Sequence, residues 1–199
     1  MNVLLVHGFL NTGRVFHRLE KRLAAAGHAC FAPTLAPRDG RHGLADLSHK
    51  LAAHIDAALP PAPFAVIGFS MGCLVARHYL QSTPAHRANA FFAISGPMRG
   101  TATAFLYPGR GTRDMRYASR FLRELDAALP ALGPLPFYTY YTPLDLMILP
   151  AASSRVARAQ ERRIWSPHHR AMLSNGELVE DVLRKLTRLA GTGAEKSQG

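Results

Sequence analysis

The five residues Gly68-Phe69-Ser70-Met71-Gly72 set one hydroxyl between two glycines. An apolar run precedes them and a second, beginning at Cys73, follows. This arrangement predicts a buried strand that turns abruptly into a helix, with Ser70 at the corner. Side chains two positions before and two after such a corner would collide, so glycine is the natural occupant. The corner exposes the hydroxyl and places it at a helix N-terminus, where backbone N–H groups bind an anion. A serine becomes a nucleophile only with a base in reach, and the base needs a carboxylate to fix its tautomer. Further along the chain, Asp145 follows an aromatic run, and His168 and His169 follow a short strand-like segment. The order Ser, Asp, His supplies the three types that acyl transfer requires.

Those residues need a scaffold that brings strand ends together. Asn2 to Val6 is a short continuous apolar run, as in a strand buried on both faces. Further strands are expected at Ala29 to Leu35, Phe64 to Ser70, Ala88 to Ser95 and Phe137 to Thr142, with a weak one at Arg162 to Trp165. Helices are expected between them: one capped by Thr12 and stopped at Gly27, one carrying Leu44, Leu47, Leu51 and Ile55, and one from Met71 to Gln81. Others are expected at Tyr117 to Ala128, Ser153 to Arg158 and Glu177 to Leu189, while Gly96 to Met115 has the Gly, Pro, Thr and Arg content of a long loop. Alternating strands and helices predict a mostly parallel sheet of about six strands with helices on both faces. Right-handed crossovers then gather every strand's C-terminal end on one edge, where ligands bind. Ser70, Asp145 and the two histidines all fall there. The 199 residues fit a single domain over 1–190, with a disordered tail over 191–199.

Competing assignments are few. Asp114 and Asp126 are rival acids, but neither follows a strand. Asp39 and Asp46 fit surface or capping roles. The histidines show no metal-ligand spacing, so no metal is expected. The two cysteines, Cys30 and Cys73, sit in apolar surroundings and suit a reducing compartment. No apolar run reaches the ~20 residues of a membrane span, and the N-terminus lacks the pattern of a signal peptide. A cytoplasmic location is expected. The net charge of +11 favours anionic partners. No nucleic-acid module is visible, so nucleic acid is not expected, whereas a peripheral contact with anionic lipid is left open.

At these residues the chain resembles the α/β-hydrolases, in particular the small bacterial lipases and esterases. Four stretches carry the likeness: VHGFLNTG from Val6, GFSMG from Gly68, TPLDLMILPAASS from Thr142, and PHHRAMLSNGELVEDVL from Pro167. It spans about Asn2 to Leu189. The resemblance implies a three-layer α/β-hydrolase fold with little or no cap and no cofactor. It implies Ser70 as nucleophile and Asp145, followed by an apolar stretch and Pro150, as the acid. His169 becomes the base, because Met172 and Leu173 stand three and four residues beyond it. The oxyanion N–H groups map onto Phe9 and Met71. Two departures stand out: His168 replaces the usual glycine before the base, and a Gly-Pro-Met segment replaces a Thr-Pro-His one, so no role passes to Met98. His7 would shape the oxyanion loop. The implied substrate is a small-molecule ester with an apolar acyl chain, for which Phe9, Leu10, Phe69, Phe105, Leu106 and Tyr107 are candidate walls. Thioester hydrolysis or acyl transfer by the same triad, and a non-catalytic binding protein on the same fold, are the alternatives.

Overall fold

The computed structural model describes residues 1–195. Six strands form one sheet: β1 (Asn2–Val6), β2 (Ala29–Phe31), β3 (Phe64–Phe69), β4 (Ala88–Ile94), β5 (Phe137–Tyr141) and β6 (Gln160–Arg163). Their order is β2-β1-β3-β4-β5-β6, and every pair is parallel. The order reverses direction beside β1 and β3, the crevice where such sheets bind ligands.

Strand periodicity divides the core in two. Leu4, Val6, Val66, Phe91 and Phe137 face one side and meet α2 (Leu44–Ala58), α3 (Met71–Ser82) and α5 (Arg120–Ala127). Val3, Leu5, Ile67, Phe92 and Tyr140 face the other and meet α1 (His17–Ala25) and α6 (Gly176–Glu195). Both faces are covered, which is why β1, β3 and β4 are continuous apolar runs with no polar alternation.

The differences from expectation have local causes. The first helix opens as a 3-10 turn (Gly13–Phe16) to which Thr12 gives no side-chain cap. Strand β2 stops at Phe31, short of Pro33, which has no N–H for the sheet. The long loop after β4 is structured: it holds a 3-10 turn (Ala102–Phe105) and α4 (Arg110–Asp114). The helix expected at Ser153 to Arg158 is only a 3-10 turn (Ala151–Ser154). Helix α6 continues to Glu195, so the expected tail lies outside the described residues except for its first five positions, which are helical. Among the described residues no helix is long and apolar enough to cross a membrane.

Candidate active site

Ser70 sits between β3 and α3 with φ +56° and ψ −127°. A non-glycine residue in this region is strained, and the strain is held by its surroundings. A Cβ on Gly72 would lie 2.0 Å from the Val6 carbonyl oxygen, and one on Gly68 would lie 2.7 Å from Cys73 Cα. The corner can therefore close only with glycine at both places. The Ser70 N–H donates to the Ile94 carbonyl at 2.9 Å, fastening the corner to β4. The hydroxyl is half-buried and takes no hydrogen bond among the described residues.

The loop after β1 is fixed independently. His7 is buried; its Nε2 accepts from the Leu35 N–H at 2.9 Å, and its Nδ1 meets the Gly8 carbonyl at 2.9 Å. That pairing places the proton on Nδ1. Burial lowers the His7 pKa, so the ring is a neutral brace. Asn11 Nδ2 donates to the Phe9 carbonyl at 2.7 Å, and the Leu10 N–H donates to the Arg38 carbonyl at 2.9 Å. The Phe9 N–H is left with no acceptor among the described residues. The Met71 N–H, at the first turn of α3, is likewise without one.

Asp145 and His169 come together although 24 residues separate them. Asp145 is buried; its Oδ1 accepts from the Met147 and Ile148 N–H groups at 2.9 and 3.0 Å. Its Oδ2 lies 2.7 Å from His169 Nδ1. The carboxylate holds the proton on Nδ1 and leaves Nε2 to accept. Thr142 ties the two loops together, its hydroxyl donating to the Ser166 carbonyl at 2.8 Å. His168 does something else: its Nδ1 accepts from the Ala171 N–H at 3.2 Å and caps the turn that begins at His169. The rival acids are occupied too. Asp114 accepts from the Leu44 N–H at 2.8 Å, and Asp126 pairs with Arg77 at 2.8 Å.

A cleft of about 40 Å³ opens at Ser70, walled by Phe9, Ala104, Tyr107, Met115, Met147 and Ile148. Phe9 and Tyr107 meet edge to face at 5.4 Å. Thr101, Thr103 and Thr112 complete the wall. Thr101 and Thr103 both donate to the Met147 carbonyl, at 3.0 and 2.7 Å, pinning the segment after β4 to the Asp145 loop.

Four residues expected to line an acyl groove lie outside this cleft. Phe69 is buried beneath the site, its ring 4.7 Å from that of His169, against which it packs. Phe105 turns outward under the Arg116 guanidinium at 4.7 Å. Leu106 is 77% exposed, and Leu10 points to solvent from a backbone at φ +57°. The walls that replace them, Met115, Met147 and the threonines, had no sequence signal beyond lying near candidate segments. Cys30 and Cys73 are free, and among the described residues no group of acids, histidines and cysteines could hold a metal.

Comparison with known proteins agrees with this architecture. The profile of the alpha/beta hydrolase family matches residues 3–191, and the chain belongs to that family. Among solved structures, the mature lipase BlEst2 of Bacillus licheniformis superposes with a TM-score of 0.72 at 14% identity, covering 93% of this chain and 91% of that one. Polyneuridine aldehyde esterase gives 0.66 at 16% identity, covering 94% and 98%. A pyrethroid hydrolase from Sphingobium faniae gives 0.63 at 15% identity, covering 98% and 99%. At such identities the likeness is one of fold. No curated protein sequence matches the chain.

Proposed function

We propose that this protein is a serine hydrolase of carboxylic esters with small apolar acyl groups. The observation that carries the proposal is the 2.7 Å bond from buried Asp145 to His169, on the same sheet edge as a strained Ser70. In the proposed reaction His169 Nε2 removes the Ser70 proton as Oγ attacks the acyl carbonyl. The Phe9 and Met71 N–H groups receive the oxyanion. Asp145 stabilises the imidazolium, which then protonates the departing alcohol. Water, deprotonated by the same nitrogen, attacks the acyl-enzyme and releases the acid. No hydrogen bond joins Ser70 and His169 among the described residues, and the proposed reaction requires one to form as the substrate binds. The narrow, apolar cleft favours a short or slender acyl group. The names of two fold neighbours, a lipase and an esterase, favour the ester bond over other targets.

A fluorophosphonate probe tests the proposal by intact mass and peptide mapping. One adduct is expected on Ser70, absent in Ser70→Ala and strongly slowed in His169→Ala, with His168→Ala close to wild type. A folded protein that takes no adduct would overturn it.

A further inference from the structure

The described residues expose ten large apolar side chains, and all ten stand on one edge of the molecule. One follows β1, four follow β4, four follow β5 and one follows β6, all in segments that leave a strand's C-terminal end. Leu106, Leu146 and Trp165 are the most exposed, at 77%, 75% and 62%. Scattered apolar exposure is ordinary, but its confinement to one face marks an interaction surface. Tyr107 and Met147 belong both to this rim and to the wall of the Ser70 cleft. The face surrounds the mouth of the site.

The same loops are basic. Segments 7–16, 32–43, 95–119, 142–154 and 164–175 hold eight arginines against three aspartates and no glutamate. Each aspartate is engaged: Asp39 by Arg41, Asp114 by the Leu44 N–H and Asp145 by His169. Beside the base, Arg14, Arg18, His17, His168 and Arg170 line a hollow of about 530 Å³ that contains no acid. The guanidinium groups of Arg14, Arg18 and Arg170 have no ion pair or hydrogen bond among the described residues.

We propose that this face docks the protein on an anionic phospholipid surface, with the apolar rim entering the acyl boundary and the arginine hollow taking a lipid phosphate. Apolar protrusions beside cationic groups suit a headgroup–acyl interface, and tryptophan and tyrosine favour that depth. A second copy of the chain is the poorer occupant, because a two-fold pairing would set the arginines of one copy against those of the other. The proposal goes beyond ester hydrolysis and stands without it.

The chain has a single tryptophan, Trp165, and it lies on this rim. Its emission therefore reports insertion directly. The test adds vesicles of phosphatidylcholine, with and without phosphatidylglycerol, to the wild type and to Ser70→Ala, which leaves the lipid uncleaved. A blue shift, with cosedimentation, is expected only with phosphatidylglycerol. Leu106→Asp with Leu146→Asp should weaken binding at least tenfold. Each of Arg14→Ala and Arg18→Ala should weaken it about fivefold, with thermal melts confirming folded variants. No shift in the wild type with anionic vesicles overturns the proposal, whatever the variants do. So does binding without a Trp165 shift that high salt abolishes, which would mark simple polyanion attraction. A dimer in sedimentation velocity that the leucine pair dissolves, with no vesicle binding, would assign the face to a second copy.

Discussion

Asp145 is the residue whose role the geometry defines most narrowly. Its two oxygens have separate tasks: Oδ1 is held by two backbone N–H groups, and Oδ2 faces His169. Asp145→Asn keeps the shape but presents an amide, which can donate toward Nδ1 and favour the tautomer protonated on Nε2. That tautomer cannot take the serine proton. The expected loss is about 10³–10⁴ in kcat on a p-nitrophenyl ester, with little change in melting temperature. His168→Ala should stay within about twofold, because that ring only caps a turn; a loss matching that of His169→Ala would reassign the base. The Ser70 corner and the Asp145–His169 pair were legible because few side chains suit such chemistry and the strand ends located them. The cleft walls were not. Phe69 and Leu106 are as apolar as Met115 and Met147, and only tertiary packing separates a buried ring or an exposed rim from a wall.

The elements hold these groups through a small number of fasteners. Thr142, at the end of β5, is buried and links the Asp145 loop to the His169 loop: its hydroxyl donates to the Ser166 carbonyl and lies 3.3 Å from both the Ser166 and Leu144 N–H groups. Thr142→Val keeps the volume and removes the link. Displacement of the base by a fraction of an ångström should cost about tenfold in kcat with KM little changed. An unchanged kcat would make Thr142 a fold residue only. The elbow is less forgiving. Gly72→Ala would drive a methyl into the Val6 carbonyl, 2.0 Å away, so α3 must move off β1. The expected outcome is insoluble or molten protein, scored by near-UV circular dichroism, and a well-folded, labelled variant would contradict the geometry. The strands were readable from their apolar runs because a parallel sheet buried on both faces leaves no other pattern. The 3-10 turn at Ala102–Phe105 and the short α4 were not, since they carry no helical periodicity and are held across the fold, by Thr101 and Thr103 on the Met147 carbonyl and by the Gly111 N–H on the Gly40 carbonyl.

At the scale of the whole molecule, histidines set the response to acid. His7, His28, His78 and His86 all have pKa values lowered first by burial; the N-terminal amine adds to this at His28 and His49 at His78. A group that binds its proton less readily when folded draws protons into the unfolded state. Stability from these residues is therefore complete above the ordinary histidine pKa of about 6.5 and is lost as pH falls below it. A second loss follows at lower pH. Burial pushes Asp181 up, but bonds from Lys185, Tyr140 and Arg184 outweigh it and hold the carboxyl well below its usual range. Stability from that cluster is present above the unfolded carboxylate pKa and disappears as the group protonates. Asp114, whose pKa burial raises, works against the loss from Asp181. The melting temperature should thus decline from pH 7 to pH 5, by about 2–4 °C for each kcal/mol lost in a chain of this size. His28 isolates the cause. It is buried with neither ring nitrogen bonded, so His28→Leu removes a proton acceptor without breaking a partner. The variant should gain more over wild type at pH 5 than at pH 8, and parallel curves would assign the acid limb to the other three rings.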